Sequence, residues 1–267
     1  MIEQKEINKV ATKTRVSDRQ IEKDYVLSWL LFAISKNKIL YSALVFKGGT
    51  VLKKAYFKDY RFSEDLDFTL IDENISNEEI LHEFNALFEF IKAESNINMR
   101  IDPKKWAIHD SGSPQFYIDY VASLQGSMGS RDLKIDITRG EILETEIEQR
   151  TIYRNYSDLE EDFKVKCYSL AEILIEKMTA LVGRTEPRDL YDFWYLTEIE
   201  QIEISEYLFE YQNKAQRKKQ DPNSFMEKVL SKELAFKQDW KKKLVTQIHD
   251  LPEYEEVFRG AKRHFKF

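Results

Sequence analysis

The sequence predicts an α+β chain: a mixed β-sheet with flanking helices over residues 1–157, then a helical region over 158–267. Three observations carry this. Short segments of period-two alternation, such as Asp65-Leu-Asp-Phe-Thr-Leu70, interleave with helical segments before residue 157. From Ser169 onward the pattern turns helical and is mostly amphipathic helix. Only 8 glycines and 5 prolines occur in 267 residues, too few for a loop-rich all-β chain. With 42% hydrophobic and 33% charged residues the chain can bury a core, which excludes wholesale disorder.

The elements follow in order. Ser17-Asp-Arg-Gln20 has capping-box spacing, and Ile21, Tyr25, Leu27 and Leu30-Leu31 give the helix behind it an apolar side that ends near Lys36-Asn37. Ala43-Leu-Val-Phe46 is a short strand, broken by Lys47-Gly48-Gly49-Thr50 and followed by a brief helix over Val51–Phe57. The half-buried strand Asp65–Leu70 comes next, then a helix over Asn77–Lys92 spaced by Ile80, Phe84, Leu87-Phe88 and Ile91. Ile97–Ile101, Gln115–Leu124 and Asp132–Thr138 read as strands joined by hairpin turns at Asp110–Pro114 and Gly126–Arg131, with a last strand near Thr151–Tyr153. Ser169-Leu-Ala-Glu172 caps the next helix, and Pro187 stands at a helix N1 position.

Charge and composition narrow the partners. The net charge is −6, with 41 basic and 47 acidic side chains, yet the basic residues concentrate at the C-terminal end in Lys214–Lys219, Lys241–Lys243 and Arg259–Lys266. Such a stripe suits either a nucleic-acid partner or a solvated helical surface. No apolar run approaches the roughly 20 residues of a membrane span, and the charged N-terminus lacks the core of a secretion signal. One cysteine, Cys167, forms no internal disulfide and fits a reducing, cytoplasmic setting as a small buried residue. The four histidines have no ligand spacing, so zinc is not expected.

Three features of the first half fit one chemistry. Gly48-Gly49-Thr50 lies between a strand and a helix, where glycine allows close backbone approach to an anion and a helix start offers N–H groups to phosphate. Asp65 and Asp67 are two apart on a strand, so both carboxylates share a face while Leu66 and Phe68 face the core. Asp136 alternates in the same way with Leu133, Ile135 and Ile137, and on a neighbouring strand it completes three oxygen ligands for a hard divalent ion. Taken singly, each is better explained by a turn or an exposed strand residue. Their order, strand, Gly-Gly-Thr, helix, D-x-D strand, later strand with one Asp, resembles the nucleotidyltransferase superfamily of DNA-polymerase-β type.

The resemblance narrows further. Phe46-Lys-Gly-Gly-Thr-Val-Leu-Lys53, Arg61-Phe-Ser-Glu-Asp-Leu-Asp67, Glu176-Lys177-Met-Thr-Ala-Leu-Val-Gly-Arg184 and Arg188-Asp189-Leu-Tyr-Asp192 are similar to the motifs of the AbiE-type (AbiEii) nucleotidyltransferase toxins, as is Glu22-Lys23-Asp24-Tyr25 in the first helix. The match spans roughly residues 20–197, and the last 70 residues match nothing distinctive.

The resemblance implies a Mg²⁺- or Mn²⁺-dependent enzyme that moves a nucleoside monophosphate from an NTP to RNA, a tRNA 3′ end above all. It further implies that the chain is the toxin of an abortive-infection pair whose antitoxin is encoded nearby. In that frame Asp65, Asp67 and Asp136 bind metal, Lys47, Gly48, Gly49, Thr50, Arg61 and Ser63 surround the triphosphate, and Lys177 with Asp192 neutralises and orients it. Arg188 and Asp189 rank behind them. For Lys177, Asp189 and Asp192 an ion-pair network tying two helices together is the competing reading, and Arg61 and Ser63 equally suit a loop buttress. A protein or small-molecule hydroxyl as acceptor, or a non-catalytic nucleotide-binding module on the same scaffold, are the alternative functions.

Overall fold

The computed structural model describes residues 1–267, which form two compact units. The first contains residues 1–141 and 147–167; the second contains 142–146 and 168–267.

The first unit opens with α1 (Gln4–Thr14) and α2 (Asp18–Lys36). The side chain of Ser17 accepts from the Gln20 N–H, as the capping spacing predicts. Helix α2 is buried on nearly all sides, so its polar residues need partners inside the protein. Glu22 accepts from the Leu124 N–H at 2.6 Å and from Arg131 at 2.5 Å. Asp24 pairs with the fully buried Lys54 at 2.8 Å and accepts from the Tyr156 hydroxyl at 2.7 Å. Within the Glu22–Tyr25 motif, Glu22, Asp24 and Tyr25 are thus buried anchors for α2. Helix α3 (Lys38–Ala43) leads into β1 (Leu44–Lys47), α4 (Gly48–Val51) and a π-helical turn over Leu52–Tyr56.

Next come β2 (Asp65–Leu70), α5 (Asn77–Ser95), β3 (Asn98–Ile108), β4 (Pro114–Val121), β5 (Asp132–Thr138), β6 (Ile147–Thr151) and β7 (Lys164–Tyr168). They make one mixed sheet in the order β3-β4-β5-β2-β1-β7-β6. Strand β2 is antiparallel to β1 and parallel to β5, and β4 is antiparallel to both β3 and β5. One face is packed by α5, whose Phe84 meets Phe116 of β4 edge-on at 5.0 Å. Leu66, Phe68, Leu133, Ile135 and Ile137 are buried, as their alternation predicts.

Three elements differ from expectation. Helix α1 escapes the pattern because only Ile7 and Ala11 of its eleven residues are buried and the rest reads as polar chain. The strand expected near Thr151–Tyr153 is β6, which ends at Thr151. Strand β7 has no counterpart among the expected elements; it lies parallel to β1, with Cys167 opposite Phe46. Cys167 itself is fully buried, and burial pushes its thiol up to about 12.

The second unit is helical: α6 (Leu170–Gly183), α7 (Pro187–Trp194), α8 (Leu208–Arg217), α9 (Phe225–Ser231), α10 (Glu233–Leu244) and α11 (Tyr254–Lys262). Ser169 caps α6 and Pro187 opens α7, both as expected. Its core is strongly aromatic, built on Phe193, Tyr211, Phe225, Trp240, Phe258 and Phe265. The basic run beginning at Lys214 is not one solvated stripe. Lys214 is buried and bonds the fully buried Glu172 at 2.7 Å, and Arg217 pairs with Glu144 at 3.2 Å. Glu172 also accepts from the Glu144 and Thr145 N–H groups, which clips segment 142–146 to α6.

No helix is long and apolar enough to cross a membrane.

Candidate active site

Sheet register brings the expected acids together. Asp67 of β2 stands directly opposite Asp136 of β5, and Lys47 at the end of β1 stands opposite Asp67 on its other side. Residues opposite one another share a face, so Lys47, Asp67 and Asp136 form one row across three strands. One period along, Asp65 is opposite Lys134 on the same face. All three aspartates are half-buried.

The glycine turn is shaped around Asp67. Gly48 has φ +79°, and a Cβ placed there would fall 2.4 Å from Asp67 Oδ2. Only a residue without a side chain leaves room for that carboxylate. Thr50 is buried, and its hydroxyl donates to the Asp65 carbonyl at 2.6 Å, which ties α4 to the first residue of β2. Lys47 is buried as well; its ammonium donates to Thr138 Oγ1 at 3.0 Å and lies 3.5 Å from Glu141.

The electrostatics are those of crowded acids. Burial, then the charges of Asp65 and Asp136, push Asp67 up to about 6 against the pull of Lys47 and Lys134. Burial alone would lower Lys134, but its hydrogen bond to Asp136 at 3.0 Å and the surrounding acids raise it overall. Lys134 is an addition to the expected set, although it sits two residues from Asp136 and therefore shares its face. No group of three or more His, Cys, Asp or Glu side chains is gathered into a ready-made metal site. The donors nevertheless suit a hard divalent cation: three carboxylates without thiolate or imidazole, carrying a repulsion that a cation relieves.

The other expected residues fall in two places. Arg61 and Ser63 are buried in the segment before β2. Arg61 contacts the Phe62 carbonyl at 3.4 Å, and the Ser63 carbonyl accepts from Gln20 at 3.4 Å. The neighbouring Lys53 donates to the Tyr60 carbonyl at 3.0 Å and lies 4.1 Å over the Phe62 ring, bracing the same segment. Lys177, Asp189 and Asp192 belong to the second unit. There the ammonium of Lys177, on α6, lies 2.8 Å from Asp189 and 2.7 Å from Asp192, both fully buried on α7. Arg184 adds a bond to Asp189 at 2.7 Å. Burial would raise Asp189, but Lys177 and Arg184 hold it below its usual range. Arg188 is half-exposed on α7.

A strand, a glycine turn moulded to a D-x-D carboxylate, and a third aspartate beside it on a parallel strand define a nucleotidyltransferase of the DNA-polymerase-β-like superfamily. A family model described as the nucleotidyl transferase AbiEii toxin of type IV toxin–antitoxin systems matches residues 29–261, and the chain belongs to that family. It is a nucleotidyltransferase enzyme of toxin type. Among solved structures the chain is similar to MenT4, a nucleotidyltransferase toxin from Mycobacterium tuberculosis H37Rv. That likeness has a TM-score of 0.68 and 15% identity, over 100% of this chain and 89% of that one. It is also similar to JHP933 from Helicobacter pylori, with a TM-score of 0.60 and 17% identity over 94% and 92% of the two chains. At such identities these likenesses show the fold. No curated protein matches the sequence.

Proposed function

We propose that the enzyme is Mg²⁺-dependent, transfers a nucleoside monophosphate from an NTP to the 3′ end of an RNA, with tRNA the implied acceptor, and acts in the cytoplasm as a toxin restrained by an antitoxin encoded beside it. The observation that carries this reading is the row Lys47–Asp67–Asp136, with Asp65 on the same face and Gly48 packed against the Asp67 carboxylate. Asp65, Asp67 and Asp136 would hold the metal, which when bound offsets charge on the oxygens of an in-line displacement.

The chain's own residues supply the rest. Gly48 and Gly49 give the triphosphate a surface without side chains at a helix start. Thr50 positions that surface against β2 through Asp65. Arg61 and Ser63 serve the same loop, braced by Lys53. Asp136, at the outer end of the carboxylate row, is the group that accepts the proton of the attacking hydroxyl. Lys177, oriented by Asp192, is the cation assigned to the leaving pyrophosphate, with Asp189 and Arg188 in support. In domain terms, residues 1–157 carry the chemistry and residues 158–267 contribute Lys177 and Asp192.

The test is incubation with each α-labelled NTP, Mg²⁺ and total RNA. Label enters RNA with the wild-type protein and is lost on chelation and in Asp65→Ala, Asp67→Ala and Asp136→Ala. Label that survives the aspartate substitutions overturns their assignment, and label found in protein instead of RNA overturns the acceptor.

A further inference from the structure

The face that carries the carboxylates continues beyond β5. Gln115 of β4 stands opposite Asp136, and Ala107 of β3 stands opposite Gln115, so both extend the row of Lys47, Asp67 and Asp136. Tyr117 stands opposite Lys134 and extends the row of Asp65. Strand β3 is the sheet edge, and its register breaks between Ile101 and Trp106, where residues 102–105 face Tyr117 alone. Pro103 lies in that break; it has no N–H to give a ladder and belongs at edges and bulges. The bulge presents Lys104 and Lys105 beside Tyr117. With Trp106, Ala107 and Gln115 these residues line an open groove of about 450 Å³.

The groove has the chemistry of a single nucleic-acid strand. The ammonium of Lys105 lies 5.6 Å over the Tyr117 ring and bonds Asp132 at 2.6 Å, so the aromatic face and a cation are held together. Lys104 is exposed and engages Asp102 only through its backbone N–H, which leaves its charge for a phosphate. An aromatic face with an adjacent cation matches the alternation of base and phosphate along an unpaired strand. Strands lie roughly 4.8 Å apart, so Gln115 is one strand and Ala107 two strands from Asp136, within the span of a nucleotide or so.

We propose that this groove seats the unpaired 3′ end of the RNA acceptor. A base lies against Tyr117, a backbone phosphate lies on Lys104, and the terminal hydroxyl points along the row past Gln115 towards Asp136. This rests on the reading of RNA as acceptor.

The test has two arms. In the first, Asp67→Asn protein, which does not turn over, is titrated with a single-stranded oligoribonucleotide and with the same sequence as a blunt duplex. Emission from Trp106, 42% exposed, is followed with Trp106→Phe as the blank. The single strand changes the emission, the blunt duplex does not, and Tyr117→Ala or Lys104→Glu weakens binding about tenfold. In the second arm Tyr117→Ala raises KM for RNA by about the same factor and leaves KM for NTP and Tm unchanged. Full-affinity binding by both variants, or equal binding of the blunt duplex, overturns the groove. A strand that binds there and is never labelled overturns RNA transfer and leaves the groove standing. RNA labelling with unchanged KM in the variants does the reverse.

Discussion

Replacing Gly48 with alanine separates a backbone requirement from a catalytic one. At φ +79° a residue with a Cβ is strained by roughly 1–2 kcal/mol. The added Cβ would also lie 2.4 Å from Asp67 Oδ2, which is about 1 Å inside an ordinary contact. The carboxylate must swing away by that amount, and a displacement of about 1 Å in a reacting group is worth on the order of 100-fold in rate. Gly140 is the matched control: it has φ +68° and nothing within 4 Å of the place an added methyl would take, so Gly140→Ala carries the strain without the collision. Both variants should melt a few degrees lower, as about 1–2 kcal/mol dictates for a chain of this size. Only Gly48→Ala should lose nucleotidyl transfer, by about 100-fold at saturating NTP. Transfer at the wild-type rate in Gly48→Ala, or an equal loss in Gly140→Ala, would refute the idea that this glycine exists to make room for Asp67.

Three more outcomes follow from the buried charges. Asp67 is raised from 3.8 to about 6 by burial and by Asp65 and Asp136, so between those values the native state keeps a proton that the unfolded chain has lost, and stability falls as pH rises through that window. Asp67→Asn removes the penalty. In chelator at pH 8 it should melt several degrees above the wild type, with about 3 kcal/mol as the upper limit, and at pH 4 the two should coincide. Equal melting at pH 8 would contradict the crowding. Lys177→Met removes the ammonium that both buried aspartates, Asp189 and Asp192, engage; urea denaturation should show a loss of about 3–5 kcal/mol, partly restored by adding Asp192→Asn. Lys214→Met should cost a similar amount by stranding the Glu172 charge, whereas adding Glu172→Gln, which removes that charge and keeps an acceptor for the Glu144 and Thr145 N–H groups, should recover part of it; a double variant no better than the single would show that the pair is not the cause.

What could be read from the sequence is what is local. The capping of Ser17 and Ser169 is decided within three residues, and the alternation of Asp65–Leu70 and Asp132–Thr138 fixes which side chains share a face. That is enough to put Asp136 on one face with Asp65 and Asp67 once the strands are taken as neighbours, but the register that sets Asp67 opposite Asp136 comes only from the sheet. The rest depends on partners distant in the chain. Strand β7 is short, carries Lys164 and Lys166, and becomes a strand because β1 lies beside it. Lysine ordinarily belongs at the surface, yet Lys54 and Lys214 are buried because Asp24 and Glu172 meet them. Thr50 closes the Gly-Gly-Thr turn, yet its hydroxyl is spent on the Asp65 carbonyl, a bond that no spacing rule foretells. Lys134, by contrast, lies within reach of the two-residue period that identifies Asp136.

The parallel pairing of β7 with β1 also sets a schedule for synthesis. Strand β1 is complete at Lys47, but β7 begins only at Lys164, over a hundred residues later. Ribosomes add roughly 5–20 residues per second, so one edge of β1 waits unpaired for several seconds after its antiparallel neighbour β2 has emerged. Segment 142–146, made late in that wait, cannot dock until α6 follows with Glu172. Chaperone dependence during translation, rather than stability of the finished chain, is where this topology would first be felt, and slowing the ribosome between residues 70 and 164 should increase aggregation more than slowing it after Tyr168.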